Sequence, residues 1–276
     1  MEADPLVQLV SRALRREITE LVSERLPTGP LVEVDRIRWR GPDGQGRLLF
    51  SRFHEAATTE VQLLPFLSRK RLPVPRVVAR GIPPVRAAER RPWLLTEEPL
   101  GVALSERPDA AARARAAELV REIQAGTMKD EPALTALGVP ALPASRIRDD
   151  AMAAVDLLDR HDAARLRDLA DGLHAASLES LGIALVHGDY GLHRVRAHDV
   201  ASVVTDWLRA HLGCPLQDFV ALGVEPPMGA ELVDRGIVLH HLFAIRWYAW
   251  QAQAGIRAKY ECAQRVRALL SAAVPI

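Results

Sequence analysis

Two short apolar runs that each end on an aspartate limit this chain more than any other feature. Leu185-Val186 runs into His187-Gly188-Asp189, and Val203-Val204-Thr205 runs into Asp206-Trp207. Each run has the length and composition of a buried strand. Carboxylates at the ends of two neighbouring strands can divide a reaction between them. One can orient and deprotonate a hydroxyl while the other holds a divalent metal on a triphosphate.

The rest of the composition narrows the classes. With 276 residues, 49% of them hydrophobic, the chain can bury a sizeable core as one large domain or as two lobes. Lys and Arg number 36 against 35 Asp and Glu, a formal charge of +1. A dedicated nucleic-acid or membrane-surface protein needs a basic face, which this balance does not provide. Arg86, Arg90 and Arg91 gather before Trp93 and read as a solvated loop. Cys214 and Cys262 imply no disulfide framework, the acidic start is unlike a signal peptide, and no apolar run is long enough to span a bilayer. A cytoplasmic protein with neither nucleic-acid nor membrane partners is expected.

Periodicity orders the elements. A four-residue apolar step through Leu6, Val10, Leu14, Ile18 and Val22 predicts a helix from Pro5 to Leu26. Leu31–Arg40 and Arg47–Phe53 predict a hairpin around Gly41–Gly46, Glu55–Lys70 a helix, and Arg76–Arg80 and Trp93–Glu97 two more strands. Beyond Gly101 the chain reads as Ala/Leu/Arg-rich helices at 110–126, 145–160, 162–180, 216–222, 230–252 and 256–273, with a strand pair inside 183–206. The expected organisation is an α+β fold of two lobes. A small sheet-containing lobe spans 1–97, a hinge 98–104, and a helical lobe 105–276 carries the strand pair.

At His187-Gly188-Asp189 and Asp206-Trp207 the sequence resembles the aminoglycoside phosphotransferase/choline kinase-like family. The likeness extends to Gly213-Cys-Pro-Leu-Gln-Asp218, to Trp93-Leu-Leu-Thr-Glu-Glu-Pro-Leu-Gly101, and to Glu60 followed by Leu72-Pro-Val-Pro-Arg76. These segments stand in the family's order across about residues 30 to 250, far more specific than a lone His-Gly-Asp. The resemblance implies a protein kinase-like fold and ATP- and Mg2+-dependent transfer of phosphate to a small-molecule hydroxyl. Carried over, Asp189 is the catalytic base, Asp206 a metal ligand, and Glu60 the carboxylate that pairs with a nucleotide-binding lysine. His187 and Asp218 orient the loop. Glu97 supplies the hinge carbonyl that holds adenine.

The departures all fall on nucleotide and metal. The family's metal-binding Asn falls at Arg194, and the chain has no asparagine to restore it. A guanidinium only donates, so Arg194 can meet phosphate but not magnesium, and His193 is the neighbouring candidate ligand. The strand 47–53 holds no lysine, which leaves Arg52 as the substitute. The hinge amide expected two residues past Glu97 falls at Pro99, which has no N–H. A catalytically impaired binding module of the same fold is therefore the alternative reading. A metallohydrolase using His187, Asp189, His193, His198 or Asp206 is the third.

Overall fold

The computed structural model describes residues 4–81, 91–198, 201–224 and 230–273. Arg86 and Arg90 lie outside them. The chain divides into two units: residues up to Val102 together with Arg196–Leu208, and Ala103–Val195 together with the chain from Arg209 onward.

The first unit begins with α1 (Pro5–Leu14), started by Asp4, whose side chain accepts from the Leu6 N–H. The helix expected to reach Leu26 stops here. Arg15 turns left-handed at φ 55°, and the Arg15 and Arg16 amides close back on the last turn. Residues Glu20–Leu26 then form β1, paired antiparallel with β2 (Val32–Gly41) from Glu20↔Arg40 to Leu26↔Val34. The four-residue step was genuine only as far as Leu14. Ile18 packs on the sheet cluster by another route, and Val22 is exposed.

β2 turns into β3 (Gly44–Phe53), and the helix α2 (Thr59–Arg69) leads to β4 (Val77–Gly81) and β5 (Trp93–Glu97). The antiparallel sheet runs β1-β2-β3-β5-β4. Pairing fixes its two faces. Glu33, Asp35, Ile37 and Trp39 share a face with Leu48, Phe50 and Arg52 and with Trp93, Leu95 and Glu97. That face buries Ile37, Leu48 and Leu95 against Val10 of α1. The opposite face carries Arg36, Arg38, Arg47, Leu49, Ser51, Leu94 and Thr96.

The second unit is helical: α3 (Ala110–Thr127), α4 (Glu131–Ala136), α5 (Ala144–Ala151), α6 (Arg160–Asp171), α7 (Ala175–Glu179), α8 (Gln217–Ala221), α9 (Ala230–Gln253) and α10 (Lys259–Ala272). Its core is built on Leu239, Leu242 and Ile245 of α9, each fully buried and packed with Ile147, Leu166, Leu178 and Val266. Each such side chain contributes about 1.5–3 kcal/mol relative to exposure.

The strands that precede Asp189 and Asp206 do not pair with each other, and the pair that forms inside 183–206 joins Val195–His198 to Ala201–Val204. β7 (Ala184–Val186) pairs with β10 (His211–Gly213), while β8 (Val195–His198) lies between β6 (Val102–Ala103) and β9 (Ala201–Val204). The strands that lead to Asp189 and to Asp206 belong to different sheets. Residues 187–194 leave β7 as a loop ending in a 3-10 turn before β8 begins.

Candidate active site

β7 delivers His187-Gly188-Asp189 to a loop held in place from below. The Asp218 carboxylate, buried at 3% exposure, accepts the His187 N–H at 2.8 Å and the Gly188 N–H at 3.2 Å. Burial pushes its carboxyl up to about 7, against the downward pull of these two bonds. The Asp189 N–H donates to His187 Nδ1 at 3.2 Å, and the Tyr190 hydroxyl donates to the Ala116 carbonyl of α3 at 2.8 Å. Gly188 has φ +79°, and a Cβ there would stand 2.6 Å from the Arg209 carbonyl oxygen and 3.0 Å from the Phe243 ring. Only glycine lets the loop lie this close. Asp218 and His187 thus both bond the backbone of this loop.

These bonds leave the Asp189 carboxylate 25% exposed between two guanidiniums. Arg194 donates to Oδ2, and Arg209 lies 3.2 Å from Oδ1. Burial alone would raise the Asp189 carboxyl. Arg209 and Arg194 outweigh it and hold the group below the ordinary carboxylate range. Arg209 also stacks over the Trp247 ring, 5.0 Å from its centroid. Sequence reading missed Arg209. Its only signal was its place just past Asp206-Trp207, and its pairing with Asp189 depends on β10 returning alongside β7.

His193 lies in the 3-10 turn Leu192–Arg194, exposed, with its ring folded back over Gly191. His211 is fully buried, stacked on Phe243 at 4.5 Å, and burial lowers it to about 4. His240 is likewise held near 4, mainly by burial, and feels the charges of Asp189 and Arg209, so both rings are neutral at pH 7. Cys214 is a buried thiol raised to about 11, which makes it no nucleophile at neutral pH.

In the first unit Asp206 follows β9 with φ +66°, a left-handed backbone rarely adopted by residues with side chains. Trp207 fixes it there, fully buried and donating from Nε1 to the Val204 carbonyl at 3.0 Å. Glu60 occupies the first turn of α2, where a carboxylate is favoured by the helix dipole.

Arg52 is not placed as a nucleotide residue would need. It lies on the α1 face of the sheet, bonded to Asp35 at 2.7 Å and 3.4 Å from Glu33. The residue at this level on the opposite face is Ser51, paired with Val34 and Leu94. The side-chain period of two decides this, and only the register reveals it.

The linker after β5 offers few free donors. β5 ends at Glu97, whose amide donates to the Arg76 carbonyl at 3.0 Å. The Glu98 amide donates to the Arg47 carbonyl at 3.1 Å, and Pro99 has none. The Glu97 side chain binds Arg76, and Glu98 accepts from Arg36 Nε at 2.7 Å. The loop between β1 and β2, Pro27–Leu31, contains Thr28-Gly29, whose hydroxyl donates to the Val32 carbonyl at 2.6 Å. The β1–β2 hairpin therefore carries Gly29 in its connection.

Arg194 cannot ligate a magnesium ion, because its guanidinium only donates. Among the described residues, no group of three or more His, Cys, Asp or Glu side chains gathers to hold a metal. No helix among them is long and apolar enough to cross a membrane.

A mixed fold with an antiparallel N-terminal sheet and an aspartate loop pinned by a buried carboxylate defines the kinase-like phosphotransferase class. Residues 35–258 match the profile described as the phosphotransferase enzyme family, and the chain belongs to that family. Its fold is shared with solved structures of low identity. A thermostable mutant of aminoglycoside phosphotransferase APH(4)-Ia, in ternary complex with ADP and hygromycin B, aligns at TM-score 0.64 and 14% identity, covering 99% of this chain and 100% of that one. Choline kinase from Cryptosporidium parvum Iowa II aligns at 0.61 and 11%, covering 91% and 88%. Spectinomycin phosphotransferase APH(9)-Ia, in complex with ADP and spectinomycin, aligns at 0.58 and 10%, covering 99% and 98%. No curated protein sequence matches the chain.

Proposed function

We propose that the chain transfers a phosphoryl group from a nucleoside triphosphate to a hydroxyl of a small molecule, with Asp189 as the base. The observation that carries this reading is the pinned loop. Asp218, His187 and Gly188 fix the backbone so that the Asp189 carboxylate projects from it, three-quarters buried. In this role Asp189 orients the acceptor hydroxyl and takes its proton as the new P–O bond forms. The bond to the leaving nucleoside diphosphate breaks with its electron pair on the departing oxygen. Arg209 and Arg194, now on Asp189, are the groups able to turn to the charge on the transferred phosphoryl. Asp206 remains the proposed carboxylate for a divalent cation, and His193 a weaker second candidate. Neither is given a step. Glu60 and Glu97 keep their proposed nucleotide roles, whereas Arg52 does not.

The relatives crystallised with ADP and hygromycin B or spectinomycin make a nucleotide and a polyhydroxylated acceptor the natural pair to test. A panel of hygromycin B, spectinomycin, choline and simple sugars is incubated with ATP or GTP, and phosphomonoester formation is followed by phosphorus NMR. Product with at least one acceptor is expected; nucleotide hydrolysis without any phosphomonoester would sink the reading. A second reading, a binding module without turnover, is favoured by one specific fact: both Asp189 oxygens are already engaged by guanidiniums.

A further inference from the structure

The hairpin of β2 and β3 sets two arginines of like charge directly opposite each other, Arg38↔Arg47, on the sheet face away from α1. Like charges at opposed positions repel and weaken a sheet. Elsewhere on this hairpin arginine is matched with acid. Arg40 meets Glu20 at 3.5 Å and Arg36 meets Glu98 at 2.7 Å. Arg38 and Arg47 alone, among the described arginines of β2 and β3, have no side-chain hydrogen bond or ion pair.

Both line a cavity of about 1280 Å3 within the first unit. Its acids are Glu20, Glu97 and Glu98, and each already has a cation: Arg40, Arg76 and Arg36 in turn. Arg16, a further lining residue, is spent on the Trp39 ring and the Asp43 carbonyl. Arg38 and Arg47 are therefore the lining guanidiniums left without a side-chain hydrogen bond or ion pair. Beside them stand Val22, the β1 partner of Arg38 and 45% exposed, and Leu100, 62% exposed. Two forked guanidiniums next to two exposed aliphatic side chains make a complementary surface for a dianion joined to an apolar body.

We propose that this cavity binds a phosphate monoester, its phosphate between Arg38 and Arg47 and its organic part over Val22 and Leu100. The proposal does not depend on Asp189 or on turnover. Phosphate is favoured over a carboxylate because two guanidiniums can engage different pairs of its three oxygens.

The test is isothermal titration with inorganic phosphate, phenyl phosphate and benzoate at low ionic strength. Phenyl phosphate should bind tightest, and benzoate most weakly. Arg38→Gln and Arg47→Gln should each weaken phenyl phosphate by about tenfold. The ligand-free double variant should melt no lower than the unmodified protein, since it removes a repulsion. Val22→Ser should weaken phenyl phosphate while leaving inorganic phosphate unchanged. Binding that is equal for phenyl phosphate and inorganic phosphate would overturn the assignment to an ester. Phenyl phosphate binding undiminished in the folded double variant would overturn the site itself.

Discussion

Removing Arg194 isolates the most unusual contact in the site. In the native protein Asp189 is 25% exposed, Arg194 27% and Arg209 19%, so the triad is largely but not fully withdrawn from water. At an effective dielectric constant of about 20 a pair at about 4 Å is worth about 4 kcal/mol of Coulomb energy, much of it offset by desolvation. Arg194→Gln leaves Arg209 in place and can still donate one neutral hydrogen bond. A loss of about 1–3 kcal/mol at pH 7 follows, the worth of a hydrogen bond to a charged group in a half-wet site. The pH dependence carries the diagnosis. Because Arg209 and Arg194 hold the folded Asp189 pKa below the unfolded value, the stabilisation is fully present above the unfolded pKa. It fades as pH falls through the folded pKa. Urea unfolding at pH 7 and again below pH ~4 should therefore show the gap between native and Arg194→Gln proteins closing in acid. A gap of equal size at both pH values would refute an electrostatic clamp and assign Arg194 to packing.

Asp218→Ala should cost about 2–5 kcal/mol in urea unfolding, because two buried N–H groups lose their acceptor, while Asp218→Asn should cost clearly less. Gly101 has φ +88°, and a Cβ there would fall 1.8 Å from the Ala197 carbonyl oxygen. Gly101→Ala should accordingly lower Tm by several degrees, more than the ~1 kcal/mol of a simple left-handed penalty. With the Glu97 and Glu98 amides spent and Pro99 lacking one, calorimetric titration should find ATP binding weak. Magnesium should add little to it, since the guanidinium of Arg194 cannot ligate a cation.

The small sheet was legible where alternation was clean, as in β2 and the middle of β3, and β5 was legible as a short run buried through Leu94, Leu95 and Thr96. It was not legible at residues 20–26. There Ile18 and Val22 continued a four-residue step begun by a genuine helix, and nothing in sequence marked Arg15 as the left-handed stop. The Asp189 loop and its Asp218 support were readable from the motif and the downstream Gly-Cys-Pro segment. Arg52 and Ser51 could not be told apart, because adjacent strand residues face opposite ways and only pairing assigns the faces. The Arg209–Asp189 pair was hidden for a similar reason: it depends on β7 choosing β10 rather than β9 as its partner.

Asp189→Asn tests the central claim most directly, since it keeps the shape of the side chain and removes its capacity to take a proton. Native and variant proteins, shown by circular dichroism to be equally folded, are compared for phosphomonoester formation with ATP and the best acceptor of the panel. The account predicts a loss of at least about 100-fold in the variant, the lower end of what a general base contributes. Turnover in Asp189→Asn at the native rate would contradict it.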